Sequence, residues 1–141
     1  MSFALVTPYF ENKMTSLGWT LWPEPFNFEN IPNDLLDHAF QVETGDIIGE
    51  GQNQTVLETR TDVVVRAFRK GFATPLEVKE ELVDEVQSIL CSTLSHGSRL
   101  TAGIKNVQFQ SMALTPLNLD NDNAMIAELT FRVRVLLNIG V

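Results

Sequence analysis

The residues from 125 to 139 alternate between apolar and other side chains, and this pattern constrains the fold more than any other part of the chain. The apolar positions are Met125, Ala127, Leu129, Phe131, Val133, Val135, Leu137 and Ile139. The positions between them include Glu128, Thr130, Arg132 and Arg134. Such alternation predicts a β-strand with one buried face. At about 3.3 Å per residue the strand would be about 50 Å long, so we expect its far end to project toward a neighbouring subunit.

Three further strands are predicted upstream. Residues His38–Ile47 and Val56–Arg69 both alternate, and the intervening Gly45–Thr55 is typical of a flexible loop or an open hairpin. Ile104–Leu114 changes the parity of its apolar positions around Ser111, which predicts a β-bulge. Pro116–Asn123 is predicted to be a polar turn that leads into the final strand.

Two helices are predicted from their capping signals. Thr7 as N-cap and Pro8 at the first helical position open one helix, which Gly18 would end. The sequence from Thr74 to Glu77 is a capping box with proline at the first helical position. This second helix is expected to end near Ser95 to Gly97. Its apolar stripe is Leu82, Val86, Ile89 and Leu90, and its opposite face carries Glu77, Glu80, Glu81, Asp84 and Glu85.

Between the first helix and the first strand lies an aromatic, proline-rich segment, Trp19–Pro32. Prolines this dense exclude a regular helix or a central strand. We expect an extended segment whose aromatic side chains dock on the domain's own core or on a partner. Its aromatic residues are Trp19, Trp22, Phe26 and Phe28.

The predicted order of elements is α-β-β-α-β-β. It indicates an α+β domain with an antiparallel or mixed four-stranded sheet and helices packed on one face. The 141 residues are too few for two cores, so the chain is expected to form a single domain. Residues 1–36 would hold the N-terminal helix and aromatic segment, and residues 37–141 the sheet and the main helix.

Charge and cysteine content argue against several functional classes. The net charge of −8 disfavours sequence-specific binding of nucleic acids, which depends on basic patches. A single cysteine precludes a disulfide within the chain and favours a reducing compartment. No apolar run is long enough to span a bilayer, and the first residues lack the features of a secretory signal. A soluble product of the cytoplasm, without membrane association, is therefore expected.

No residue pattern predicts an enzyme. His38 and His96 have no second ligand at metal spacing, and we interpret them as capping or solvent-facing residues. Cys91 is expected to be a small buried hydrophobe, and the paired acids of the second helix a solvated face. We therefore assign no catalytic, cofactor-binding or metal-binding residue.

Several local sequences resemble the tail terminator, or tail completion, proteins of long-tailed bacteriophages, similar to the lambda-type terminator. They run from Thr61 to Gly71, from Ile104 to Phe109, from Met112 to Leu117 and from Leu129 to Val135. The resemblance covers about Phe40 to the end of the chain and includes no catalytic signature. The aromatic N-terminal part matches only loosely.

The resemblance implies a structural virion protein made in the host cytoplasm. Such proteins form a hexameric ring that caps the tail tube, stops its polymerisation and joins the tail to head-completion, or stopper, proteins. Genomic DNA would pass through the lumen without specific binding, since six chains of −8 would carry a formal charge of −48. A ring needs two different contact patches on each subunit, and we predict that one patch contains Arg60, Arg66, Arg132 and Arg134. Ordinary solvated strand charges remain the alternative interpretation of these arginines.

Two other functions remain open from the sequence. One is a different subunit of the phage neck or head-completion complex, which similarity of fold does not distinguish. The other is a small-molecule-binding domain or enzyme in which Trp19, Trp22, Phe26 and Phe28 form a pocket wall.

Overall fold

A computed structural model describes residues 6–23, 37–72, 74–94, 104–119 and 122–138. These residues form two helices and five strands, so the fold is mixed α+β. In chain order the elements are α1 (Val6–Ser16), β1 (Thr20–Leu21), β2 (Ala39–Gln52), β3 (Val56–Phe72), α2 (Pro75–Thr93), β4 (Ile104–Leu119) and β5 (Asp122–Asn138).

The five strands form one mixed sheet in the order β1-β2-β3-β5-β4. The short strand β1 pairs in parallel with β2 through Thr20 opposite Ala39 and Leu21 opposite Phe40. All other neighbouring strands are antiparallel. The predicted four-stranded sheet is therefore wrong by one strand, because a strand of two residues is too short to produce a periodic pattern.

Strand β5 lies inside the sheet and not at its margin. It pairs with β3 as far as Asn138 and with β4 as far as Val135. The alternation predicted for this strand is confirmed, since its odd-numbered residues from Met125 to Val135 are buried. The expectation that its far end projects toward a neighbour is wrong, because β3 is long enough to pair with it throughout.

The glycine-rich part of β2 belongs to the sheet. The register between β2 and β3 shifts between Thr44 and Ile47 and again between Gly49 and Gly51, so that β2 holds extra residues as bulges. The turn itself is short, and the Asn53 side-chain oxygen accepts hydrogen bonds from the Thr55 and Val56 amides, each at 2.8 Å. The prediction of an open hairpin is confirmed and that of a flexible loop is wrong.

Strand β4 contains the predicted bulge, since its register with β5 shifts between Phe109 and Ser111. It also continues through Pro116 to Leu119, where a polar turn was predicted. A proline is compatible with this position because β4 is an edge strand. The backbone amides on its outer side have no partner strand, so a residue without an amide hydrogen can be accommodated there. Residues 120 and 121 of the predicted turn lie outside the described part of the chain.

Helix α2 follows its predicted capping signal, whereas Thr7 lies within α1 and is not the N-cap that was predicted. Helix α1 begins at Val6, one residue before the predicted N-cap, and the chain leaves it through Gly18 at a φ of 95°. The Thr74 hydroxyl accepts a hydrogen bond from the Glu77 amide at 3.2 Å, as the capping box predicts. Helix α2 ends at Thr93, before the predicted Ser95 to Gly97, which are not among the described residues.

The two helices pack on one face of the sheet and form the main core. The Phe10 ring lies 5.2 Å from the Phe131 ring, and the Tyr9 hydroxyl donates to the Thr93 carbonyl at 2.6 Å, joining α1 to the end of α2. Burying such aromatic side chains stabilises the fold by about 2–3 kcal/mol each. Trp19 is buried in this core, which confirms that part of the aromatic segment docks on the domain itself.

A smaller cluster lies on the opposite face of the sheet, where Trp22 packs against it. Its buried members are Ala39, Phe68, Ala124 and Ile126. Cross-strand pairing places Phe68 beside Ile126 on one face and Ala67 beside Ala127 on the other. The two tryptophans therefore contact different faces of the sheet and do not share a pocket wall. Phe26 and Phe28 lie outside the described residues.

Candidate assembly surfaces

All four arginines predicted to contact a neighbour lie on the sheet face that points away from the helices. We call this surface, between β2 and β4, the charged sheet face. Pairing of β3 with β5 sets Arg66 opposite Glu128, Asp62 opposite Arg132 and Arg60 opposite Arg134. Because side chains alternate along a strand, these even-numbered positions share one face while the core residues share the other.

Arg66 and Arg132 are held by carboxylates of their own chain. The Arg66 guanidinium lies 2.6 Å from Glu43 and 3.2 Å from Glu128, so it bridges β2 and β5 across β3. Arg132 Nε lies 3.4 Å from Asp62. These contacts fix both arginines within the sheet and leave them poorly placed to bind an external acid.

Arg134 is also paired, but with groups on both edge strands. Its Nε lies 3.0 Å from Glu50, and it donates through Nη1 to the Gln108 side-chain oxygen at 3.0 Å. Lys105 at the start of β4 lies 2.7 Å from Glu58 of β3. The ion pairs of this face therefore balance its charge and tie the strands together.

Arg60 is the exception among the four. No described acidic residue pairs with it, and its Nε is buried without a hydrogen-bond acceptor. The residue opposite it on β5 is Arg134, so two like charges face each other across the strands. Both features raise the free energy of the isolated chain, because a buried donor without an acceptor and a like-charge cross-strand pair each cost stability.

The outer edge of β4 has a bulge between Phe109 and Ser111 and a proline at 116, but it lacks the charged side chains with which edge strands usually avoid pairing. No charged residue occurs between Asn106 and Leu119, and every residue from Gln108 to Ala113 is exposed. Phe109 and Met112 are 39% and 37% exposed although they extend the core row of β5. A long edge with apolar side chains and no charge favours pairing with another strand.

The opposite edge of the sheet is formed by β2 beyond its short contact with β1. All residues from Glu43 to Gln52 are exposed, including Ile47 at 51% and Ile48 at 47%. This edge differs from β4 in its charge, because β2 carries the acids Glu43, Asp46 and Glu50 and no basic residue. The sheet thus ends in two unlike edges that both expose apolar side chains.

A cluster of charges links the start of β2 to α2, and no feature of the sequence indicated it. Arg69, with a side chain only 7% exposed, pairs with Asp37 at 3.0 Å and with Glu85. His38 Nε2 lies 2.9 Å from Glu85, and its ring packs edge-on against Trp19 at 5.1 Å. The His38 side chain is still 39% exposed, which agrees with the solvent-facing position predicted for it. Glu85, only 24% exposed, does not belong to the solvated helix face to which it had been assigned.

The remaining reactive side chains of the described residues do not converge on a site. Cys91 is exposed, contrary to the predicted buried position, because it lies on the outer side of α2. Glu80, Glu81 and Asp84 are exposed, as predicted. The described segments contain no group of three or more histidine, cysteine, aspartate or glutamate side chains that could hold a metal ion. His96 lies outside those segments.

Comparison with known proteins adds no assignment. No family model matches the sequence, and no curated protein matches it. Within the part of the chain that the structure describes, neither helix has the length and apolar character required to cross a membrane. The two sheet edges and Arg60 are therefore the features from which a function can be argued.

Proposed function

We propose that this chain is a structural subunit that assembles with copies of itself into a closed ring, in the manner of the tail terminators that its sequence resembles. The observation that carries the proposal is the pair of unlike, exposed edges on one sheet. In a cyclic ring one patch of each subunit meets a different patch of the next, and two unlike edges can supply these two patches. The lack of charge between Asn106 and Leu119 in β4 supports an edge that another strand covers in the assembled protein.

In this proposal the ring is a hexamer in the virion, at the junction of tail and head. It caps the tail tube, stops its polymerisation and binds the head-completion protein on its other side. The protein is not an enzyme and needs no cofactor. Its acidic net charge of −8 supports a lumen through which genomic DNA passes without adhering.

The distribution of charge refines which surface would face DNA. On the charged sheet face the basic residues largely offset the acids through ion pairs. The excess acids lie instead on exposed positions of α2, namely Glu77, Glu80, Glu81 and Asp84. A lumen lined by the sheet would be nearly neutral, whereas one lined by α2 would be acidic.

Negative-stain imaging of tail tubes polymerising in the presence of the purified chain tests the proposal. We expect tubes of limited length that carry an additional ring at one end. Tubes that lengthen as they do without the chain, and that carry no such ring, would contradict the terminator assignment.

From the sequence alone, charge reversal of Arg132 and Arg134 together would be expected to leave folding intact and to impair ring formation. The ion pairs of these residues with Asp62 and Glu50 weaken that test, because reversal would also set acids against acids within the chain. Arg60→Met is the sharper variant, since it removes no ion pair formed with a described residue.

A further inference from the structure

From the two sheet edges we infer which surfaces join neighbouring copies: the outer edge of β4 in one copy pairs with the exposed half of β2, from Glu43 to Gln52, in the next. This inference rests on the proposed ring. It commits to a second copy of this chain as the occupant of the β4 edge, and to β2 as the strand that the second copy supplies.

The direction of the strands supports this pairing. The strands β2, β3, β5 and β4 alternate in direction, so β2 and β4 run in opposite directions at the two sides of one sheet. Rotation about an axis parallel to the strands preserves direction. It therefore brings β2 of the next copy beside β4 in the antiparallel orientation, which permits backbone hydrogen bonds in the stretches between the bulges of the two strands.

The two edges also lie at matching positions along the strand direction. Following the cross-strand pairs from β2 to β4, Ile47 lies opposite Thr61, Thr61 opposite Val133, and Val133 opposite Val107. The exposed half of β2 and the first half of β4 therefore occupy the same stretch of the sheet. Neighbouring copies can meet along these strands without a large shift parallel to the axis.

Apolar side chains and charge complete the match. Phe109 and Met112 extend the core row at one edge, and Ile47 on β2 lies in the same row as the buried Thr61. Joining the edges would thus continue one core across the boundary between copies. Glu43, Glu50 and Lys105 form ion pairs within the chain, so Asp46 provides the charge that distinguishes the two edges. Two β2 edges would place their Asp46 carboxylates on the same boundary, whereas β4 has no acid to oppose them.

The test uses three lysine variants of the full chain, each at an exposed apolar position. Met112→Lys alters the β4 edge and Ile47→Lys alters the β2 edge. Val83→Lys is the matched control, because Val83 is 43% exposed but lies on α2, away from both edges. Mass photometry and multi-angle light scattering over a range of concentrations, with and without tail tubes, give the size of the assemblies, and circular dichroism verifies folding.

We expect the wild type and Val83→Lys to form rings and each edge variant to remain at the 15.8 kDa of one chain. The decisive sample is an equimolar mixture of the two edge variants. Each variant retains one intact edge, so the mixture should form dimers of twice that mass that do not grow into rings.

Three results would overturn the inference. Rings formed by both edge variants would show that other surfaces join the copies, while the proposed ring function would survive. Dimers of Ile47→Lys alone would show that β4 pairs with β4. If the wild type stays monomeric both alone and on tail tubes, both the proposed function and this inference are contradicted.

Discussion

Replacement of Arg60 by methionine should make the isolated chain more stable, although it removes a charged residue from a strand rich in ion pairs. Arg60 Nε is buried without an acceptor, and the residue opposite is Arg134. A buried donor without an acceptor costs about 1–3 kcal/mol, and a like-charge cross-strand pair costs up to about 1 kcal/mol. Methionine keeps most of the apolar contacts of the arginine stem and removes both costs.

The low end of the range for the unpaired donor applies, because Arg60 is only half-buried. We therefore expect Arg60→Met to raise the free energy of unfolding by about 1 kcal/mol, which raises the melting temperature by about 3 °C in a chain of this size. Urea denaturation of the monomer, followed by circular dichroism, measures the change. Assembly on tail tubes should weaken in the same variant if a neighbour supplies the missing acceptor.

Arg66→Met provides the contrast on the same face of the same strand. Arg66 pairs with Glu43 and Glu128, so its removal leaves two carboxylates without their cation. We expect a loss of about 1–2 kcal/mol, since the pair with Glu128 is partly buried while Glu43 is largely exposed. A decrease in stability for Arg60→Met, or changes of the same sign in both variants, would refute the view that Arg60 lacks a partner within the chain.

Three further substitutions test the contacts that hold the helices to the sheet. Arg69→Met should lower the free energy of unfolding by about 2–3 kcal/mol, because Asp37 and Glu85 lose their buried partner; thermal denaturation should show a clear drop in melting temperature. Tyr9→Phe should cost about 1 kcal/mol by removing the hydrogen bond to the end of α2, and an unchanged midpoint in urea would contradict that bond. Thr74→Ala should cost about 1 kcal/mol through loss of the N-cap, whereas Thr74→Ser should retain most of the stability in the same assay.

Local patterns in the sequence were sufficient for most of the fold. The alternation from Met125 to Val135 depends only on burial of one sheet face, and the N-cap at Thr74 depends only on neighbouring residues. The glycine-rich half of β2 was misjudged because bulges allow glycines to remain in a sheet. The extension of β4 past Pro116 was missed because an edge strand accommodates proline.

The surfaces from which function is argued were only partly predictable. The arginines of the charged sheet face follow from alternation, and the structure places all four on that face. Their partners do not follow, because Glu43 and Glu50 come from a strand whose bulges shift the register. The contact of Arg69 with Glu85 joins β3 to α2, and no spacing rule connects two side chains on different elements.

The position of β5 in the sheet has a consequence for how the molecule is made. This strand follows the other four in the sequence, yet it lies between β3 and β4, which do not pair with each other. During synthesis, therefore, no backbone hydrogen bonds connect the β2–β3 hairpin to β4 until β5 leaves the ribosome and inserts between them. A chain without β5 cannot hold β2 and β4 at their final separation, so the edge-to-edge pairing proposed above requires β5 to be in place.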